Sequence, residues 1–174
     1  KALDLAEVPE RVVVIGGGYI GLELGQMLSK VGAEVTVVEM MDSVLNGFDP
    51  DVVKLMARKL KKSGIKVLKK TRALGWEEGD DCALVNVEGP QGAQAIPADA
   101  ILVTVGRRPN SEGLDKTGVE LTDRGFVRID SQCKTSQAGV YAIGDVAGGM
   151  MLAHKASHEG EVVAEVIAGH SAHN

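Results

Sequence analysis

The feature that most constrains this chain is an apolar, β-branched run that leads into a glycine-rich turn and then into a helical pattern. The run occupies residues 12–15, and Gly16, Gly18 and Gly21 follow it at G-x-G-x-x-G spacing. The first glycine permits the sharp bend, the second removes a Cβ where a pyrophosphate approaches, and the third allows close helix–sheet packing. The helix N-terminus then directs N–H groups at the phosphates. The stretch therefore predicts a dinucleotide-binding turn, rather than an α/β turn that merely requires glycine.

An acidic residue at the end of the next strand indicates which dinucleotide is bound. Glu39 ends that strand, about twenty residues after the turn, where a carboxylate accepts hydrogen bonds from the adenosine ribose hydroxyls. Met40 and Met41 follow it, and neither they nor their immediate neighbours are cations that could pair with a 2′-phosphate. We therefore predict NAD(H) rather than NADP(H).

Length, composition and charge limit the number of domains and the class of protein that this chain can be. A chain of 174 residues with 44% hydrophobic residues is one domain, or one domain and part of another. No apolar run reaches membrane-spanning length, and from the first residues given we expect no targeting signal. A net charge of −5 argues against a nucleic-acid binder. One local basic run lies at a predicted helix end and on the strand after it. We interpret these cations as solvated side chains that complement the helix dipole. Its members are Lys59, Lys61, Lys62, Lys66, Lys69, Lys70 and Arg72.

The two cysteines indicate a reducing compartment. Cys82 and Cys133 are far apart and belong to no C-x-x-C or metal-type spacing. We expect no disulfide framework, no metal site and no redox cysteine pair in this chain. The expected location is the cytoplasm, or the mitochondrial matrix if the source is eukaryotic.

The first part of the chain alternates strands and helices. A first helix over residues 18–30 is predicted, with an apolar stripe at Ile20, Leu24, Met27, Leu28 and Val31. A second helix has Asp49 as N-cap and Pro50 as first residue, and Gly64 ends it. Its predicted buried face is Val52, Leu55, Met56 and Leu60. A third strand over residues 65–68 completes a βαβαβ unit, which predicts a Rossmann-like parallel sheet.

The pattern then changes to short extended segments separated by turns. Residues 73–78, 82–88 and 93–96 predict a small antiparallel meander, and residues 100–105 a strand that returns to the buried sheet. Beyond a boundary near residues 110–115, we predict strands at 126–129 and 140–143, a helix over 152–168 and a fraying polar tail. Because this small number of helices and strands cannot form a good hydrophobic core alone, we interpret the second part as a piece of a larger domain.

Four stretches together resemble the pyridine-nucleotide-disulfide oxidoreductase family of flavoproteins. They are residues 16–23, 104–110, 139–145 and 151–156. The resemblance covers nearly the whole chain, and the last stretch favours the branch of the family that oxidises dihydrolipoamide. It implies an NAD(H)-binding domain at 1–112, then the second segment of a discontinuous FAD-binding α/β domain at 113–174.

The resemblance also implies roles for individual residues. NAD would be held by Gly16, Gly18, Tyr19, Ile20, Gly21, Glu23, Glu39, Ala73 and Gly106. FAD would be contacted by Asp145, through its ribityl chain, and by backbone N–H groups around Met151, Leu152 and Ala153. A helix N-terminus at the latter position favours negative charge on reduced flavin.

Departures from the family pattern limit what this chain can do. The family's redox-active cysteine pair and its His-Glu base are absent, so no catalytic residue is assigned. His154 and Glu159 match the H-x-x-x-x-E spacing of that base, but they lie on the predicted flavin-proximal helix. We interpret the match as coincidental and expect His154, His158 and Glu159 to form solvated or flavin-adjacent surface.

The resemblance implies that the chain is a truncated central piece that positions nicotinamide to accept hydride from FAD. Alone, it is expected to bind NAD(H), to bind FAD weakly or not at all, and to be inactive. The intact parent would act with a second identical subunit on dihydrolipoamide carried by a lipoyl domain. Two alternatives stay open: the same portion of a mercuric or glutathione-type reductase, NADH oxidase or transhydrogenase, or a non-catalytic NAD-binding module.

Overall fold

The computed structural model describes residues 2–174; Lys1, at the start of the predicted lead-in, lies outside the described residues. The chain forms two compact units, which divide between Gly106 and Arg107. The predicted division into domains 1–112 and 113–174 concerns a larger protein and stays a prediction. None of the helices within residues 2–174 is both long and apolar enough to cross a membrane.

The first unit contains the predicted parallel sheet. Its strands are β1 (Arg11–Ile15), β2 (Glu34–Val38), β3 (Lys66–Leu68) and β7 (Ala100–Val103), in the order β3-β2-β1-β7 with every pair parallel. Helices α1 (Tyr19–Lys30) and α2 (Pro50–Lys62) connect the first three strands. The βαβαβ unit and the return of the last strand to the sheet are therefore confirmed.

A second, antiparallel sheet confirms the predicted meander. Its strands are β4 (Arg72–Glu78), β5 (Ala83–Gly89) and β6 (Gly92–Ala98), in the order β4-β5-β6 with a bulge between Ala73 and Gly75. Valines from both sheets share one buried cluster, so the meander packs on one face of the parallel sheet. The members of that cluster are Val13, Val38, Val85, Val87 and Ala98.

The two helices contribute to a separate core cluster, and their buried faces differ from those predicted. In α1 the buried residues are Gly21, Leu22, Gly25 and Leu28, whereas Val31 is exposed. In α2, Val53, Met56 and Leu60 meet the core at i, i+3 and i+7, while Val52 and Leu55 are exposed. The prediction for Val52 and Leu55 was wrong because α2 has apolar residues on two sides, and periodicity alone did not decide which side faces the sheet.

The second unit has less regular structure than predicted. It contains 3₁₀ turns at Leu114–Thr117 and Gly144–Ala147 and helix α3 (Ala153–Ile167), which confirms the final helix. The strands predicted at 126–129 and 140–143 were wrong: these segments form only single bridges, Leu121 with Val127 and Lys134 with Tyr141. An isolated pair of extended segments gains little ladder energy without further strands.

The C-terminal tail does not fray as predicted. The Asn174 amide donates a hydrogen bond to Ser131 O at 2.7 Å, and its side-chain nitrogen Nδ2 reaches Glu159 Oε1 at 3.1 Å. Gln132 Nε2 also donates to Ala172 O at 3.2 Å. These hydrogen bonds hold the tail against the second unit.

Candidate functional site: the glycine turn and the flavin-signature segment

Two glycines of the turn are required by packing. Gly16 has φ +106°, and a Cβ there would lie 2.7 Å from Thr104 O. At Gly21 a Cβ would lie 2.3 Å from Gly16 O and 2.5 Å from Thr104 Oγ1. Real Cβ atoms essentially never lie this close to another heavy atom, so any larger residue at Gly21 forces the turn or the helix to move.

Gly18 is glycine for a different reason. It is the N-cap of α1 with φ −74° and makes no side-chain capping hydrogen bond. A Cβ there would have nothing within 4 Å, so its position opens to free space. An uncapped helix N-terminus beside an open glycine is the arrangement that a pyrophosphate occupies. The residues present therefore fit a dinucleotide.

Glu39 is brought directly to the turn, although 22 residues separate it from Gly17. Gly17 N–H donates to Glu39 Oε2 at 2.6 Å, and Met41 N–H donates to Glu39 Oε1 at 2.7 Å. The carboxyl ends of neighbouring parallel strands β1 and β2 bring these groups together. The two hydrogen bonds fix the carboxylate, and the remaining lone pairs of its oxygens can accept ribose hydroxyls.

The other residues predicted to hold NAD lie on helix α1 or at positions farther along the chain. Tyr19, Ile20 and Glu23 lie in the first turns of α1, where Glu23 is exposed. Ala73 packs half-buried against the inter-sheet cluster, and Gly106 is exposed with φ +143°. No hydrogen bond within residues 2–174 joins Ala73 or Gly106 to the glycine turn, so their roles stay predictions.

Sequence reasoning missed Thr104. Its hydroxyl lies 3.1 Å from Ile15 O and 3.0 Å from Gly16 O, so it holds the end of β1 where the turn begins. A threonine at the end of an apolar strand carries no signal of this role. Only the pairing of β1 with β7 brings it beside the turn.

In the second unit, Asp145 lies in the 3₁₀ turn Gly144–Ala147 and pairs with Arg107. Arg107 Nη2 is 2.7 Å from Asp145 Oδ2, and both side chains are partly exposed. Helix α3 begins at Ala153, and its N-cap Leu152 makes no side-chain capping hydrogen bond. A partly exposed carboxylate and an uncapped helix N-terminus fit the ribityl hydroxyls and the electron-rich ring of a flavin.

Glu159 corrects one expectation from the sequence. His154 and His158 are exposed as expected, but Glu159 is only 1% exposed. Its Oε2 accepts a hydrogen bond from Gly144 N–H at 2.7 Å, and its Oε1 lies 2.7 Å from Lys155 Nζ. At this distance the Lys155 ammonium and the Glu159 carboxylate form an ion pair. Glu159 therefore anchors the turn that carries Asp145.

Comparison with known proteins decides the family. The family model described as pyridine nucleotide-disulphide oxidoreductase matches residues 1–160. The chain belongs to this family. The expected resemblance is confirmed.

Relatives in this family share a name and exceed the chain in length. The chain is 47% identical to dihydrolipoyl dehydrogenase of Geobacillus stearothermophilus, over 97% of its own length and 36% of the relative. It is 46% identical to dihydrolipoyl dehydrogenase of Bacillus subtilis (strain 168), over 98% of the chain and 37% of the relative. The chain thus spans little more than a third of the curated relatives it matches.

Solved structures of the family confirm the fold class. The Cu(II) complex of the HOCl-induced flavoprotein disulfide reductase RclA from Escherichia coli superposes with a TM-score of 0.85 at 26% identity, covering 96% of this chain and 38% of that one. LpdA from Mycobacterium tuberculosis gives a TM-score of 0.85 at 27% identity, covering 97% of this chain and 37% of that one. Both match the mixed α/β architecture described above.

The two cysteines are not joined by a disulfide. Cys82 and Cys133 are both free, and they lie in different compact units. Burial raises the pKa of the Cys133 thiol, and the nearby Glu159 carboxylate adds to this effect. Cys133 is thereby held in its protonated, unreactive form. Within residues 2–174, no group of three or more His, Cys, Asp or Glu side chains could hold a metal ion.

Proposed function

We propose that this chain is the NAD(H)-binding portion of a dihydrolipoyl dehydrogenase. The observation that carries the proposal is the Glu39 carboxylate, hydrogen-bonded to Gly17 N–H at the glycine turn. It combines a pyrophosphate site with a ribose-hydroxyl acceptor in one place. The 47% identity to a dihydrolipoyl dehydrogenase supports the choice of enzyme.

The chain's own residues position the nicotinamide cofactor. Gly16, Gly18 and Gly21 admit the pyrophosphate, and Glu39 accepts hydrogen bonds from the adenosine ribose. With the adenosine ribose and the central pyrophosphate held, the nicotinamide half of the dinucleotide extends from a fixed point, which lowers the entropic cost of hydride transfer. FAD, when bound, supplies the two-electron chemistry that links a dithiol to NAD⁺.

The second unit supplies contacts to that flavin. Asp145 accepts a hydrogen bond from the ribityl chain, and the backbone around Met151, Leu152 and Ala153 faces the ring. Arg107, now paired with Asp145 at 2.7 Å, orients the carboxylate. The whole protein would oxidise dihydrolipoamide on a lipoyl domain as a dimer, in the cytoplasm or mitochondrial matrix.

A second candidate is the same portion of another flavoprotein disulfide reductase. The similarity to the reductase RclA favours it, because both share this fold over nearly the whole chain. The environment of Glu39 favours an NAD-dependent member, since Met40 and Met41 beside it are exposed and uncharged.

The dinucleotide preference tests the proposal directly. Titration of the chain with NADH and with NADPH, followed by calorimetry, is expected to give a dissociation constant at least about tenfold lower for NADH, because Glu39 repels a 2′-phosphate. Glu39→Gln is expected to weaken NADH binding by about tenfold, since the charge-assisted hydrogen bonds to the ribose are lost.

Glu34→Gln is the matched control, because Glu34 is an exposed glutamate at the other end of the same strand. It is expected to bind NADH like the unmodified chain. Equal affinity for NADH and NADPH, or an equal loss in both variants, would overturn the proposal.

A further inference from the structure

Charge is strongly segregated along this chain. Residues 52–72 contain nine Lys or Arg residues and no Asp or Glu, whereas the rest of the sequence contains ten against 24. Helix α2 accounts for five of the nine cations. A solvated helix end accounts for basic residues near the C-terminus of α2, but it does not account for the apolar residues exposed among them.

The α2 outer face, which we define as Val52, Leu55, Arg58, Lys59 and Lys62, combines both kinds of residue. Val52 is 50% and Leu55 69% exposed. They lie one helical turn apart, and Arg58 and Lys59 follow Leu55 at i+3 and i+4, so an apolar pair adjoins a cationic turn. The three cations of this face have no ion-pair partner within residues 2–174, whereas Lys54 pairs with Asp51 at 3.1 Å.

We infer that the α2 outer face binds an acidic, amphipathic peptide segment of a partner protein. Carboxylates of such a segment complement the three unpaired cations, and its apolar residues cover Val52 and Leu55. Helix-on-helix recognition commonly uses apolar anchors at this spacing with charges beside them. This inference does not depend on NAD or FAD binding.

Two other anionic partners fit this face less well. It has no aromatic side chain on which a nucleic-acid base could stack. A membrane-surface helix inserts a broad apolar face into lipid. The broader apolar side of α2, with Val53, Met56 and Leu60, is instead turned to the core.

The test uses two fluorescein-labelled helical peptides of equal negative charge, one built from Glu and Leu and the other from Glu and Ser. Fluorescence anisotropy with the full 174-residue chain is expected to show binding of the Glu/Leu peptide at least about fivefold tighter than that of the Glu/Ser peptide. Arg58→Glu/Lys59→Glu is expected to weaken binding of the Glu/Leu peptide by about tenfold or more, since two attractions become repulsions.

Leu55→Ser separates apolar docking from simple charge attraction. It is expected to remove the preference for the Glu/Leu peptide while leaving Glu/Ser binding unchanged. Lys116→Glu/Arg128→Glu makes the same charge change at two exposed positions of the second unit and is expected to change nothing. Because all of these side chains are exposed, far-UV circular dichroism is expected to show the same helix content in each variant.

Several results would overturn the inference. These are equal affinity of the unmodified chain for the two peptides, no binding of the Glu/Leu peptide at about 1 mM, or an unchanged affinity of Leu55→Ser for the Glu/Leu peptide. Parallel titrations use single-stranded DNA and phosphatidylserine/phosphatidylcholine vesicles. Tighter binding of either probe, lost in Arg58→Glu/Lys59→Glu, would assign the face to nucleic acid or membrane instead.

Discussion

At the scale of single residues, the three fingerprint glycines serve different physical ends. Gly21 lies against Gly16 O and Thr104 Oγ1, so its lack of a side chain is a packing requirement. Gly18 faces free space, so its lack of a side chain matters only if a ligand approaches. We therefore expect the same motif letter to serve packing at Gly21 and the approach of a ligand at Gly18.

Alanine substitutions separate these two roles. Gly21→Ala is expected to lower the free energy of unfolding by about 2 kcal/mol, because the new methyl overlaps backbone that must shift. Gly18→Ala is expected to change stability by less than about 0.5 kcal/mol, yet to weaken NADH binding by about tenfold where the pyrophosphate approaches. Urea unfolding and NADH titration of both variants check this. Undiminished NADH affinity in Gly18→Ala would contradict the expected approach of the pyrophosphate.

We expect Asp130 to make the stability of the chain depend on pH. Its Oδ1 accepts hydrogen bonds from Lys134 N–H at 2.9 Å and Gln132 N–H at 2.8 Å. The Lys134 hydrogen bond is the main reason that the pKa of Asp130 lies below its ordinary value. A lowered folded-state pKa adds stability above the unfolded-state pKa, and this stability is lost as the pH falls through the folded-state value.

Asp130→Asn keeps an oxygen acceptor but cannot titrate. It is expected to be less stable than the unmodified chain at neutral pH, with the difference shrinking below about pH 4. Urea unfolding at several pH values measures this, with the exposed Asp123→Asn as control. A stability difference that stays constant down to acid pH would contradict the assigned role.

At the scale of elements, helix α3 is tied to the Asp145 turn by one buried carboxylate. Glu159 accepts from Gly144 N–H and pairs with Lys155 across one helical turn. Removing one member of a buried pair leaves the other charge and the amide without a partner. The position of Asp145 therefore depends on a side chain that the sequence presents as an ordinary helical glutamate.

Glu159→Ala is expected to destabilise the second unit by about 3 kcal/mol, and Glu159→Gln by less, because glutamine still offers an acceptor to Gly144. Glu161→Ala, at an exposed position of the same helix, is the control and is expected to have little effect. Urea unfolding gives the stabilities. Amide exchange at Gly144 is expected to quicken in Glu159→Ala beyond the quickening elsewhere in the unit. Uniform quickening would mean that Glu159 acts only through global stability.

At the scale of the whole molecule, the chain combines predicted cofactor contacts with two free cysteines. Cys82 and Cys133 lie in separate units, and Cys133 is buried. We expect that the purified 174-residue chain does not reduce NAD⁺ with dihydrolipoamide, with or without added FAD, and shows no flavin absorption. The formation of NADH absorbance and the visible spectrum report both, with a full-length dihydrolipoyl dehydrogenase as positive control. Turnover by the chain would refute this.

The sequence by itself determined the order and the approximate bounds of the helices and strands in the first unit. Its β-branched runs, glycine turn and Asp49–Pro50 helix start are local signals, because each depends on the backbone preferences of a few adjacent residues. Asp49 indeed caps α2 by accepting from Asp51 N–H at 2.8 Å. The meander was predictable for the same reason, since its turns lie between the strands that they connect.

Only the tertiary structure decided which faces are buried and which distant groups meet. Val52 and Leu55 are exposed because the side of α2 that carries Val53 and Met56 packs against the core. The Thr104 hydroxyl donates to Gly16 O, and Gly144 N–H donates to Glu159. Both hydrogen bonds join residues that are well separated in the sequence. Burial and hydrogen bonding across the fold depend on how elements pack together, and no short window of sequence contains that information.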